Sequence, residues 1–298
     1  MISVSLQSMS TSSVNAISVD VEDYFQVEAF ASRVAYENWG AFESRIERNV
    51  GRVLDLFERH GAGATFFVLG WIAKRFPHLV RDIAARGHEV GCHGFSHQHL
   101  QRLTPAQFRE DLRQARNCLA DEAQQPVFCF RAPSFSIVRD TLWALDVLAE
   151  EGFCFDSSIF PVRHDFYGIP DAERFPHWQK TAQGNSIFEF PPSTIRARNN
   201  NIGVGGGGYL RFVPYAVTRW ALRRINEREN QPVMVYFHPW EIDPGQPRIS
   251  ASLRSRVRHY SGLATMEHKL ERLLTDFRFT TLSQASTGLE VYQSGITV

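Results

Sequence analysis

Cysteine is scarce in this chain. The 4 cysteines among 298 residues (Cys92, Cys118, Cys129 and Cys154) form neither a CxxC pair nor a short disulfide framework. That excludes a small disulfide-stapled scaffold and reads as free thiols in a reducing compartment. An excess of charge of one sign is also missing, because 32 Lys+Arg balance 32 Asp+Glu. Nothing therefore directs the chain to nucleic acid or to an anionic membrane surface. No run approaches the ~20 apolar residues of a membrane helix, so no integral membrane segment is expected. Residues 1–15 are rich in Ser and Thr and lack the basic and apolar regions of a signal peptide. They read as a flexible start to a cytoplasmic protein, with room for peripheral attachment to a membrane. Repeats and a clean domain boundary are absent too.

What is present is an ordinary apolar fraction of 43% and an unusual 23 Phe. Together they suggest a thick core and aromatic binding walls. Buried strands are expected at 16–21, 64–69, 88–93, 127–131, 153–156, 233–237 and 279–282. Helical spacing covers 45–60, 72–86, 105–122, 141–151, 214–228 and 263–277, several stretches ending at Gly. Thr104-Pro105 supplies a cap followed by Pro at the first helical position. Strand and helix alternate at intervals of about 30 residues, the mark of parallel β/α architecture. Residues 160–210 break the pattern and read as a long irregular insertion, a substrate-side loop region with a short hairpin. The expected division is one domain over 16–284 and a loosely docked tail over 285–298.

In such folds functional groups sit at the C-terminal ends of strands. Asp20, His93, Arg131, Asp156 and His238 all fall there. His93 and His97, four residues apart after a buried strand, can share one ion. Asp20, Glu22 and Asp23 crowd three acids into four residues, an arrangement that calls for a cation. A carboxylate and two imidazoles are a common ligand set for a catalytic divalent metal. A spare carboxylate and His238 would then serve as general base and acid. Buried Arg131 needs a carboxylate and would orient the base, whereas an Asp156–His238 pair would hold the imidazolium. His99 reads as a surface residue.

These residues resemble a family. Ser18-Val19-Asp20-Val21-Glu22-Asp23-Tyr24-Phe25, Arg131-Ala132-Pro133-Ser134-Phe135-Ser136, Phe155-Asp156-Ser157-Ser158, Gly206-Gly207-Gly208-Tyr209-Leu210-Arg211 and His238-Pro239-Trp240-Glu241 are similar to the polysaccharide deacetylases of the NodB-homology type, which are carbohydrate esterases. More narrowly they resemble the subgroup of exosortase/PEP-CTERM exopolysaccharide loci, with a DUF3473-type C-terminal region. The resemblance runs from about 16 to 283. It implies a distorted (β/α) barrel of about seven parallel strands and a divalent metal, commonly zinc.

Carried over residue by residue, Asp20 would be the base, His93 and His97 metal ligands, Arg131 the residue that positions the base, and Asp156 the support of the acid His238. The backbone N–H near Ser134 would help hold the oxyanion. The usual family motif has two adjacent Asp. Here Val21 follows Asp20, so the third ligand is Glu22 or Asp23; strand parity favours Glu22, and Asp23 needs a bulge. Ser134 stands where the family carries Tyr. The implied reaction is loss of acetate from an N-acetylated sugar of an oligo- or polysaccharide. Trp240, Trp178, Tyr209 and Phe135 are candidate stacking surfaces for sugar rings. Rival expectations are hydrolysis of a non-sugar amide, as in allantoinase-like relatives, and an inactive carbohydrate-binding barrel.

Overall fold

A computed structural model describes residues 14–287 and 289. Eleven strands and ten α-helices follow one another along the described chain. The strands are β1 (Asn15–Val21), β2 (Thr65–Val68), β3 (Glu89–Cys92), β4 (Cys129–Phe130), β5 (Phe155–Asp156), β6 (His177–Lys180), β7 (Ser186–Glu189), β8 (Thr194–Ala197), β9 (Asn200–Gly203), β10 (Met234–Phe237) and β11 (Phe279–Thr280). The helices are α1 (Ile46–His60), α2 (Gly70–Arg75), α3 (Pro77–Ala85), α4 (Pro105–Ala123), α5 (Trp143–Glu150), α6 (Gly207–Phe212), α7 (Tyr215–Arg228), α8 (Leu253–Tyr260), α9 (Leu263–Asp276) and α10 (Leu282–Ser286).

Nine strands form one sheet in the order β10-β1-β2-β3-β4-β5-β7-β6, with β11 added to β1. Every pairing is parallel except β6 with β7. The result is the curled, mostly parallel half-barrel of an α/β fold. The strands are apolar runs because both faces are covered, and β1, β2 and β10 are buried throughout. Register sets the site: Asp20 of β1 lies beside Phe67 of β2, which lies beside Gly91 of β3. A Cβ on Gly91 would fall 2.6 Å from the Phe67 ring, so glycine is what lets that ring lie flat inside the curl.

Several expectations are corrected. The helix expected over 72–86 is two, because Pro77 cannot continue α2 and instead opens α3. The insertion over 160–210 is more regular than expected and holds two hairpins where one was expected: β6 and β7 form one whose second strand pairs with β5, and β8 and β9 form another. α8 lies where no helix was expected. Asn15 is no part of a flexible start, since it is buried in β1 and its side chain accepts a hydrogen bond from the Val233 N–H at 2.9 Å. Ala285 and Ser286 belong to α10, and most of the expected N-terminal and C-terminal segments lie outside the described residues. The expected cap on α4 is present as a full capping box between Thr104 and Gln107.

Candidate metal and catalytic site

The C-terminal ends of β1, β3, β4 and β10 converge on a cavity of about 410 Å³ lined by Asp20, Glu22, His93, His97, Ser134 and His238, among others. A larger hollow of about 750 Å³ is lined by Trp71, Gln107 and Asp111 and holds none of the predicted site residues.

Glu22, His93 and His97 are buried, and their ligand atoms all lie within 4.8 Å of one another. The segment from His93 to His97 is a bent loop, not a helix. Gly94 (φ 73°) and His97 (φ 52°) turn it so that both imidazoles face inward. Asp111 of α4 holds this loop, accepting from the Phe95 N–H at 2.7 Å and the Ser96 hydroxyl at 2.8 Å. His93 Nδ1 meets the Arg131 carbonyl at 2.8 Å, which turns Nε2 toward the cluster. Glu22 Oε2 lies 2.7 Å from His97 Nε2, and this buried oxygen has no hydrogen-bond partner among the described residues. An orphaned carboxylate oxygen beside two imidazoles fits a divalent ion shared by all three.

Electrostatics agree. Burial lowers His93 to about 4, which keeps it neutral. Burial opposes charge on Glu22 too, but His97 and His238 outweigh it and hold the carboxyl at about 2. Asp23 does not join this group. Its carboxylate accepts from the Ser44 hydroxyl (2.7 Å) and from the N–H groups of Arg45 (2.9 Å) and Tyr24 (3.0 Å), and burial raises it to about 6. Of the two acids left open by the sequence, the structure places Glu22 with the histidines and Asp23 in the loop that leads into α1.

Asp20 Oδ1 is held by Arg131 Nη1 at 2.7 Å. Arg131 is wholly buried and also donates to the Ser18 hydroxyl, the Ser157 carbonyl and the Ser157 hydroxyl. Its guanidinium sits 4.4 Å from the Phe67 ring centroid, 5.4 Å from that of Phe135 and 5.5 Å from that of Tyr236. After β4, Ser134 (φ 56°) and Phe135 (φ 53°) are consecutive left-handed residues, an arrangement that costs free energy and clusters at functional sites. The Phe135 N–H is taken by the Ala132 carbonyl, whereas the Ser134 N–H has no hydrogen-bond acceptor among the described residues.

The Asp156–His238 pair does not exist. Asp156 is fully buried behind Arg131, bonded to the Ser158 hydroxyl and set against Glu189 of β7. Burial raises both carboxyls, and the neighbouring Asp156 charge raises Glu189 further. The partner of His238 is instead Glu241, whose Oε2 lies 3.2 Å from Nδ1. His238 Nε2 faces Glu22 Oε1 at 3.4 Å and Asp20 Oδ2 at 3.9 Å. Burial works against its charge, but Glu22, Glu241 and Asp20 prevail and raise it to about 9.

The aromatic expectations divide. Tyr209 is half-buried on the cavity wall. Phe135 lines the cavity but is 6% exposed and packs on Tyr236. Trp240 is 5% exposed, lies parallel to His238 and His259, and donates its indole N–H to Glu22 Oε1 at 3.3 Å. It braces the ligand set and offers a sugar ring little surface. Trp178 packs on Phe188, outside this cavity. His99 is buried against the Phe166 carbonyl and is no surface residue. Sequence reasoning missed Asp111, Glu189, Arg211, Glu241 and His259. A His and a Glu three residues apart at a strand end was the available signal for Glu241.

Known proteins share the fold and the sequence segments that carry His93, His97, Arg131 and His238. Residues 39–150 match the polysaccharide deacetylase family, and residues 157–287 match a domain of unknown function, DUF3473. The chain thus carries a polysaccharide deacetylase segment of the NodB-homology type, followed by a DUF3473 region. It is 32% identical to a peptidoglycan-N-acetylglucosamine deacetylase of Bacillus cereus over 96 residues, which is 32% of this chain and 35% of that protein. It is 33% identical to a chitooligosaccharide deacetylase of Bradyrhizobium over 97 residues, 33% of this chain and 42% of that protein. The matches thus span less than half the length of either relative. In fold, the chain is similar to a polysaccharide deacetylase-class structure from Pseudomonas aeruginosa PAO1 (TM-score 0.61, 16% identity, 95% of this chain and 92% of that one). It is likewise similar to the Puue allantoinase (TM-score 0.60, 14% identity, 95% and 92%). Both matched segments build one sheet here, since β2, β3 and β4 of the deacetylase segment and β7 and β10 of the DUF3473 region belong to the same nine strands.

Proposed function

We propose that this protein is a metal-dependent hydrolase that removes N-acetyl groups from the N-acetylated sugars of an exopolysaccharide or its precursor. One observation carries the reading: Asp20, gripped by Arg131, and His238, backed by Glu241, flank the Glu22–His93–His97 cluster in a single cavity. A divalent ion held by Glu22, His93 and His97, zinc by the chemistry of the donors, would supply Lewis acidity to water and to the acetamide carbonyl. Asp20 takes the proton of the attacking water, and Arg131 keeps its second oxygen turned to the cavity. The free N–H of Ser134 donates to the oxyanion as it forms. His238 Nε2 then hands a proton to the leaving amine.

The peptidoglycan and chitooligosaccharide deacetylases among the relatives support an N-acetylated saccharide. The unpaired thiols of buried Cys92 and Cys129 support a cytoplasmic site of action; recovery of the native protein from a periplasmic fraction would contradict it. The test is acetate release from N-acetylglucosamine oligomers. Asp20→Asn and His238→Ala should each lower kcat by about 100-fold or more. A protein that opens allantoin and leaves every N-acetylated sugar intact would overturn the proposal.

A further inference from the structure

We propose that Arg211 and Glu241 form a positioning relay that fixes the His238 imidazole, with Nδ1 as donor to Glu241 and Nε2 aimed into the cavity. The inference rests on the deacetylase reading for what the aligned ring does, but not for the alignment itself.

Glu241 is fully buried, and both of its oxygens are engaged. Oε1 accepts from Arg211 Nε at 2.6 Å. Oε2 accepts from the His238 backbone N–H at 2.9 Å and lies 3.2 Å from Nδ1. Arg211 is in turn fixed at its far end: Nη1 donates to the carbonyls of His259 (2.8 Å) and Ser261 (2.9 Å), and Nη2 to that of Arg258 (2.9 Å). Two N–H···O contacts to the carboxylate, from Arg211 Nε and the His238 backbone, and three more that anchor Arg211 therefore set it in one place. An ionised carboxylate only accepts. The imidazole must then present a protonated Nδ1 to it, and a ring flip would put a carbon where that donor stands. Trp240, parallel to the ring at a 5.2 Å centroid separation, limits tilting, so the carboxylate governs the rotation that remains.

Why the relay sits here follows from the glycine run. Gly206 bridges to Tyr236 of β10, and a Cβ there would fall 2.0 Å from the Tyr236 carbonyl oxygen. Only glycine allows the start of α6 to lie against β10, which brings Arg211 beside the Pro239–Ile242 turn. Arg211, His238, Glu241 and His259 all lie in the segment that matches a domain of unknown function. Through the relay, that segment aligns the acid from outside the deacetylase segment.

Glu241→Gln keeps the shape but turns an amide N–H₂ toward either Arg211 or His238. On N-acetylglucosamine oligomers kcat should fall about 100-fold with KM within about threefold. On an aryl acetate, whose phenolate leaves unprotonated, kcat should stay within about threefold. Arg211→Lys, which keeps the charge and loses the fork, should show the same substrate contrast at smaller size. Independently of activity, the 15N spectrum of the metal-free wild type should show His238 protonated at Nδ1, and Glu241→Gln should shift that signal. Equal losses on both substrates, or a His238 that lacks the Nδ1 proton, would overturn the relay. A wild type that cleaves no acetamide would overturn the acid role, while the His238 spectrum would still decide whether Glu241 holds the ring.

Discussion

Replacing Arg131 by Met should expose how much of the fold's stability is tied up in the site. The side chain is wholly buried and makes four hydrogen bonds, one of them to Asp20. Met fills similar volume, so the packing term is small. What remains is a buried Asp20 carboxylate, 2% exposed, without its cation. Breaking a buried pair by removing one partner costs about 3–5 kcal/mol, because the other charge is left uncompensated. For a chain of this size that is a fall in Tm of roughly 6–20 °C. Asp20→Asn in the same background removes the stranded charge, so the double variant should recover about 2 kcal/mol relative to the sum of the single losses. Urea unfolding of the four proteins, each treated with chelator and compared at unchanged m, gives the cycle. A coupling below about 0.5 kcal/mol would refute the claim that Arg131 is there for Asp20.

Other outcomes follow from the same geometry. Gly91→Ala should destabilise by about 1–3 kcal/mol in a melt, because the new methyl meets the Phe67 ring on which Arg131 rests. Trp240→Phe removes the indole N–H that holds Glu22, and zinc affinity by competition with a chelator should drop about 10–100-fold. Burial, aided by Arg211, lowers His259 to about 3, so the folded state keeps it neutral while the unfolded chain takes up a proton below its ordinary value near 6.5. The sign is loss on acidification: this contribution is complete above about pH 6.5 and falls by up to about 1.4 kcal/mol per pH unit toward pH 3. His259→Gln should flatten the dependence of unfolding free energy on pH across that window, and an unchanged slope would contradict it.

The parallel sheet and the main site residues were legible because each follows an apolar run, and β/α order puts the ends of such runs together. Asp20, His93, Arg131 and His238 could be read this way without knowing how the sheet curls. A short hairpin was expected in the insertion, but neither its place nor the joining of β7 to the main sheet was legible. His177–Lys180 is polar and half-exposed, and Ser186–Glu189 hides a buried carboxylate whose partner is another carboxylate. Partner choice was the other failure. Strand ends tell which residues share a face, but Asp156 turns behind Arg131 to Glu189, while His238 is served by Glu241 from its own turn. The choice between Glu22 and Asp23 was open for a similar reason: Asp23 is drawn aside by Ser44 and Arg45, a contact across 22 residues that no local spacing announces.

The most direct test of the central claim is an anomalous-difference map from crystals grown with zinc. The account predicts one strong peak about 2.0–2.2 Å from a Glu22 oxygen and from one imidazole nitrogen each of His93 and His97. Asp23 should stay on Ser44. A peak bound by Asp23 instead of Glu22, or no peak between His93 and His97, would contradict it.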